Sequence, residues 1–512
     1  MKGESQMQEN RSKDKLDSYF MGHPKPLFSL FFTELWERFS FYGIRPLLVL
    51  YMAATLAENG LGFDRQSASA IVGIFAGLIY LAPLGGGWLA DNWLGQKKAT
   101  LYGSSLMACG HLSIALSAFF GLSFFFLGLL LIVLGTGLFK TCISVIVGLL
   151  YKEGDPRRDS GFLIFYMGVN LGAFLAPLVS GFLQENYGWH LGFGIGGVGM
   201  LISVLIFYFK TTKDLDEFAK AHQMEQSWEK PKNAKKNVGI YLGGFLLVVA
   251  ILFVCMSMEI ISINPVALSK SMFIIVGVLG FVYFMYLMFF VSLSSSEKKN
   301  LLVLLALLIA SAVFWSTFEQ QPLALNLFVK DYINRNVLGF EIPVIWFQSI
   351  NPLFIIAFAP LVGSFWIYLS KKGVEISSFL KFSLGLLLAG VGYLIMVFAS
   401  NLVLQNNGGS VSYLWMIVFY FFITMGELWL SPVGLSIANK IAPDKIKGQV
   451  MGLWYISVAL GNVIAGLYGG EIRADNLTHL PDFFLQLAYI LFATGIALAI
   501  VFVILKKQNI KI

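Results

Sequence analysis

Fourteen stretches of mostly apolar residues constrain this chain more than any other feature, because a helix needs ~20 such residues to cross a bilayer core. Read between charged or Gly/Pro-rich breaks, they lie at about 27–57, 68–90, 98–120, 122–150, 160–184, 189–209, 238–258 and 271–293, then at about 300–320, 343–370, 378–400, 411–438, 448–470 and 482–505. A water-soluble fold could not hide so much apolar surface. Only 13% of the 512 residues are charged and 57% are hydrophobic, whereas ordinary soluble domains carry about 25% charged residues. Disorder requires the opposite composition. The sequence predicts an all-α integral membrane protein.

Lys and Arg excess marks the cytoplasmic side of short loops. With the N-terminus inside, the tails and alternate loops hold nearly all of the 36 Lys and Arg. The opposite loops hold only Arg65, Lys270, Lys330, Arg335 and Arg473, and the spans only Arg38, Arg45 and Lys140. A miscounted span would scramble this asymmetry, so it supports both the fourteen spans and cytoplasmic termini. It also explains the net charge of +7 without a nucleic-acid partner; the large partner expected is the lipid bilayer. No cleavable signal peptide is expected, since the first apolar run begins only near Leu27. Cys109, Cys142 and Cys255 sit in apolar runs without a pairing pattern and read as inert thiols.

The polar stretch Thr211 to Asn237 reads as a cytoplasmic, partly helical linker. The expected organisation is a tail (1–26), a six-helix bundle (27–210), the linker (211–237), two extra transmembrane helices (238–293), a second six-helix bundle (294–506) and a short tail (507–512). Glu259 and Lys270 lie near the ends of the extra pair, which reads as peripheral scaffold. Two six-helix halves about a linker suggest the repeated plan of the major facilitator fold.

Charges inside a bilayer are costly and normally mark function. Seven stand out: Glu34, Glu37, Arg38, Arg45, Lys140, Glu319 and Glu427. At 100° per residue, Glu34, Glu37, Arg38, Phe41, Tyr42 and Arg45 form one stripe about 140° wide on a helix whose other face is apolar. Such a stripe cannot face lipid, which points to a central cavity. Glu34 and Arg38 are spaced to pair within the helix. Lys140 lies deep in the fourth span and needs Glu34 or Glu37 as partner. The second half supplies only acids, Glu319 at the end of a span and Glu427 in the middle of one. Cations on one wall and an acid on the other make an electrical mould for a zwitterion. Three cations against four acids also leave one acid able to hold a proton, which suggests proton coupling.

Other motifs have plainer readings. His111 reads as a packing residue. The Gly-rich run Gly192 to Gly197 fits a dinucleotide pattern but lies in an apolar span with no strand before it. Gly73/Gly77, Gly168/Gly172 and Gly466/Gly470 are small-residue pairs that let helices approach closely. Neither a nucleophile–base or metal constellation nor a phosphate-binding loop is present in the sequence, which argues against a membrane enzyme or an ATP-driven pump. No metal and no cofactor is expected.

The run Glu34-Leu35-Trp36-Glu37-Arg38-Phe39-Ser40-Phe41-Tyr42-Gly43 resembles the ExxERFxYYG motif of the proton-dependent oligopeptide transporter family, with Phe41 in place of the usual tyrosine. Gly86 to Lys98 resembles that family's signature between helices two and three, Phe165-Tyr166-Met167-Gly168-Val169-Asn170-Leu171-Gly172 resembles FYxxxNxG in its fifth helix, and Glu427 to Ser436 is similar to its tenth-helix run. The likeness spans nearly the whole chain in order. It implies the major facilitator fold and proton-driven uptake of di- and tripeptides across a bacterial cytoplasmic membrane, without a cofactor. Carried over by position, Glu34, Glu37, Arg38 and Lys140 would couple protons. Arg45 and Lys140 would hold the peptide carboxylate, and Asn170, Asn351 and Glu427 the amino terminus, with Ser431 assisting. Tyr42, Tyr80, Tyr166, Trp315, Trp429 and Trp454 would line side-chain pockets. Glu319 would pair with Arg45 in a periplasmic gate, and Asp91 in the turn with Lys97 and Lys98 would latch the opposite side. The second span lacks the histidine of animal members, so coupling should rest on the acids. The alternative within carriers is another small anion or zwitterion as cargo.

Overall fold

The computed structural model describes residues 15–224, 228–231, 237–258, 260, 263–374, 376–472 and 476–507. Residues 1–14 and 508–512 of the expected tails, parts of the linker, Glu259 and Arg473 lie outside the described residues. Among the described residues the chain folds almost wholly into helices, and its contacts divide it into two compact units. One comprises Met1–Ile44 and Leu81–Ile263, the other Arg45–Tyr80 and Asn264–Ile512.

Six long helices begin the chain: α1 (Lys25–Ala53), α2 (Arg65–Leu89), α3 (Gln96–Phe120), α4 (Leu122–Leu149), α5 (Arg158–Tyr187) and α6 (Trp189–Ile206). A short helix α7 (Thr212–His222) follows, then α8 (Val238–Ser257) and α9 (Pro265–Phe289). The remainder forms α10 (Ser295–Phe318), the short α11 (Asn326–Tyr332), α12 (Ile350–Lys371), α13 (Ser378–Gln405), α14 (Leu414–Ile441), α15 (Lys447–Tyr468) and α16 (His479–Lys507). Setting aside α7 and α11, these are the fourteen spans expected from the apolar runs. Thirteen are long and apolar enough to cross a membrane by length and composition alone. The fourteenth, α1, is as long but carries Glu34, Glu37, Arg38 and Arg45.

Local chemistry sets several boundaries. Ser294 and Glu297 cap α10 reciprocally, each side chain holding the other's backbone N–H. Asn264 caps α9 with Pro265 at its first position, where a missing N–H costs nothing. Two expected spans differ from the observed helices, both near prolines. The run 300–320 ends at Phe318, after which Gln321–Leu325 makes a wide turn with Leu323 outside the helical region (φ −112°, ψ −105°). Pro322 lies in that turn and cannot donate to it. The run 343–370 opens as a tight turn, Val344–Ser349, and α12 begins only at Ile350, which places Pro352 in its first turn, where proline is tolerated.

In the first unit, α3 and α4 pack at backbone contact. A Cβ on Gly110 would sit 2.7 Å from the Gly128 carbonyl oxygen. Gly168 and Gly172 of α5 likewise admit the backbone of α1 at Phe31 and Leu35. No residue of α1 is exposed, so its apolar face lies inside the protein and not against lipid. By contrast α8 exposes Leu247, Val248 and Ile251 by more than half, as a lipid-facing helix should. In the second unit α2 meets α15 at Gly73 and Gly466, where a Cβ on Gly73 would fall 2.6 Å from the Gly466 Cα. These contacts agree with the packing reading of the glycine pairs.

The linker is folded onto the first unit. Leu215 and Phe218 of α7 join Trp228 in a buried cluster with Met107, Phe139 and Phe207. Lys25 pairs with Asp214 (3.1 Å) and Glu217 (2.6 Å). Lys97 pairs with Asp216 (2.8 Å) and with Glu229, and its N–H donates to the Trp228 carbonyl. Nearby, the buried His23 ring shares a hydrogen bond with the Tyr151 hydroxyl (2.9 Å). Burial, with Arg157 nearby, holds that imidazole below its usual range.

Candidate functional site

The α1 helix places its charges by simple periodicity. Glu34 and Arg38 lie one turn apart, and Glu37 precedes Arg38, so one guanidinium reaches both acids. Arg38 Nε lies 2.8 Å from Glu34 Oε1 and 2.7 Å from Glu37 Oε2. All three are under 9% exposed. Pairing is what makes such burial tolerable, since an unpaired charge would pay the full cost of desolvation. Lys140 of α4 is within electrostatic reach of Glu37, one of the two acids the sequence offered it. Tyr42 lies near Arg38 on the same helix.

Three other predicted residues of this unit differ in setting. Asn170 is 5% exposed and donates one amide N–H to the Tyr166 carbonyl (3.0 Å), which leaves its oxygen and its second N–H for other partners. Tyr166, expected to line a pocket, is 45% exposed. Asp91 sits in the wide turn Ala90–Leu94 and accepts from Gln96 Nε2 at 2.6 Å. Lys97, which the sequence grouped with Asp91, is held instead by the linker acids Asp216 and Glu229.

In the second unit, Arg45 and Glu319 form an ion pair, both under 9% exposed. Glu319 is the residue that ends α10. A carboxylate there opposes the helix dipole, and the Arg45 guanidinium offsets that penalty. The sequence expected this pair from the resemblance alone.

Glu427 has a different environment. Asn351, in the first turn of α12, donates from Nδ2 to Glu427 Oε2 at 2.9 Å and to Thr424 Oγ1 at 3.0 Å. Both acceptors come from α14, three residues apart and so on one face. The amide nitrogen therefore uses both hydrogens, and the amide oxygen is left to accept from something else. Ser431, one turn beyond Glu427, is partly buried.

The predicted aromatics are dispersed along these helices. Trp429 meets Trp366 edge-to-face at 4.7 Å, with the Lys381 ammonium 4.1 Å from the Trp366 ring centre. Trp454 is 4% exposed and packs edge-on against Phe382. Trp315 lies against Phe318 at 5.2 Å, and Tyr80 is partly buried within electrostatic reach of Tyr455.

Sequence reasoning missed several polar groups. Thr424 is fully buried beside Asn351, and its spacing from Glu427 was the available signal. Gln348 Nε2 donates to the Gln321 carbonyl (2.7 Å) and to the Tyr420 hydroxyl (3.2 Å). Asn326 Nδ2 donates to the Pro46 carbonyl at 2.7 Å. Two glutamines followed by a proline marked the break they surround.

The comparisons with known proteins agree. A sequence model described as the POT family (PTR2) matches residues 97–472. The peptide transporter YePEPT of Yersinia enterocolitica subsp. palearctica is 51% identical over 484 residues, covering 94% of this chain and 95% of that protein. The di-/tripeptide transporter of Lactococcus lactis subsp. cremoris is 34% identical over 98% of both chains. A crystal structure of a peptide transporter POT variant in complex with alafosfalin superposes with a TM-score of 0.84 at 36% identity, covering 96% of this chain and 97% of that one. On the strength of these matches the chain belongs to the POT family, and it is a multi-pass membrane transporter with the major facilitator fold, not an enzyme.

Proposed function

We propose that this transporter is a proton-coupled symporter that imports di- and tripeptides by alternating access, using the proton gradient and no cofactor. The observation that carries the reading is the setting of Glu427, an acid in the middle of a membrane helix held, among the described residues of its own unit, by an amide and by no cation. Such a carboxylate, with the spare oxygen of Asn351 beside it, suits a peptide ammonium. The names of the relatives point to the same cargo. In this reading the peptide carboxylate goes to Arg45 and Lys140, Asn170 and Ser431 assist at the amino end, and Tyr42, Tyr80, Tyr166, Trp315, Trp429 and Trp454 meet the side chains.

Coupling follows from competition for cations. Arg38 already serves two acids and Arg45 serves Glu319. A peptide carboxylate that takes Arg45 leaves Glu319 without its cation, and one that takes Lys140 leaves Glu37 only the guanidinium it shares with Glu34; an acid so released exchanges a proton with the cycle. The Arg45–Glu319 pair acts as a periplasmic gate and the Asp91 turn as a cytoplasmic one, in a bacterial inner-membrane protein with both termini inside. Di-alanine uptake into proteoliposomes tests this: accumulation against its gradient is expected only with an inward proton gradient. Uptake indifferent to the proton gradient would overturn the coupling. No uptake of di-alanine beside uptake of another small zwitterion would overturn the cargo.

A further inference from the structure

The second N–H of Asn351 has a function that the first does not. An asparagine amide can turn over about its last torsion, exchanging oxygen for nitrogen at little steric cost. Held only by Glu427, the amide would keep one N–H on the carboxylate and have its second N–H free to point toward an approaching ammonium. In this structure the other hydrogen is held 3.0 Å from Thr424 Oγ1. Thr424 is fully buried, so water does not compete for its hydroxyl oxygen, which accepts that N–H. Two acceptors on one helix face, Thr424 and Glu427, clamp the nitrogen and leave the oxygen outward.

We infer that Thr424 is a positioning residue: through Asn351 it keeps an amide oxygen beside the Glu427 carboxylate, so that the pair offers acceptors and no donor to the amino terminus of the cargo. This rests on the reading that Glu427 receives that terminus. Recognition of a free amine over a blocked one is then set in part by a threonine that never touches the substrate. A buried donor left without its acceptor is costly, so Thr424→Val would leave the second N–H to seek another partner, as a donor beside the carboxylate that receives the ammonium.

The test compares binding of di-alanine with binding of N-acetyl-di-alanine to purified protein. Thr424→Val should lower the preference for the free amine by about tenfold, the scale of one hydrogen bond to a charged group. Thr424→Ser, which keeps the hydroxyl, should restore it. In an Asn351→Ala background Thr424→Val should have no further effect, because the two act as one unit. A Thr424→Val preference within twofold of wild type would overturn the inference, as would an equal loss in the Asn351→Ala background. Equal loss of both ligands would mean that Thr424 serves packing alone, and also overturns it. Should the wild type itself not distinguish the two ligands, the reading of Glu427 fails first and this inference with it.

Discussion

Two buried acid sites of this transporter are built on opposite principles. On α1 the carboxylates of Glu34 and Glu37 share one guanidinium, with Lys140 close by. On α14 the Glu427 carboxylate is held by the Asn351 amide, and among the described residues of its own unit no cation pairs with it. The first arrangement neutralises itself and changes only when something displaces a partner. The second has an amide and no cation of its own unit beside the carboxylate. The contrast separates carboxylates that share cations from one held by an amide, and the proposed function gives the two different tasks.

The contrast can be broken most forcefully at α1. Glu37→Gln or Lys140→Ala should reduce uphill di-alanine uptake to background, and normal accumulation by either variant would remove the proton-coupling role. Next in size is the Arg45–Glu319 pair. Arg45→Met alone strands a buried carboxylate and should cost about 3–5 kcal/mol of stability, whereas Arg45→Met with Glu319→Leu should recover most of it. Thermal unfolding in detergent checks this; a double variant no more stable than the single would show that the pair is not the cause. Smaller again is Glu427→Gln, which should weaken peptides with a free amine about tenfold and leave amino-blocked ones unchanged, on the usual scale of a charged hydrogen bond. Similar weakening of both would place Glu427 in the self-neutralising class. Least of all is Lys97→Met at the partly exposed linker. Its pairs should be worth at most about 1 kcal/mol, seen as faster amide exchange in Thr212–His222 and diminished by salt.

What could be read from the sequence follows the range of the interactions. The long helices were legible, thirteen by their own apolar length and α1 by the apolar face opposite its charges, and the α1 cluster was legible because its partners lie within one turn. The end of α10 was legible too, since the expected span stopped at about 320 beside two glutamines and Pro322; the wide turn Gln321–Leu325 and the short α11 beyond it were not. The folding of the linker onto the first unit was hidden as well. Asp214, Asp216 and Glu217 look like any solvated charge run until Lys25 and Lys97 arrive from far along the chain. Thr424 was hidden too, since a hydroxyl on an apolar helix has meaning only when Asn351 is seen beside it.

The meeting of α2 and α15 at Gly73 and Gly466 affects how genetics on this protein must be interpreted. A single added methyl at either position meets backbone atoms, and backbone cannot step aside as a side chain can. A selection for growth on the cargo would therefore return these glycines together with Glu427, as though all three handled substrate. Counting the folded molecules that reach the membrane would tell them apart.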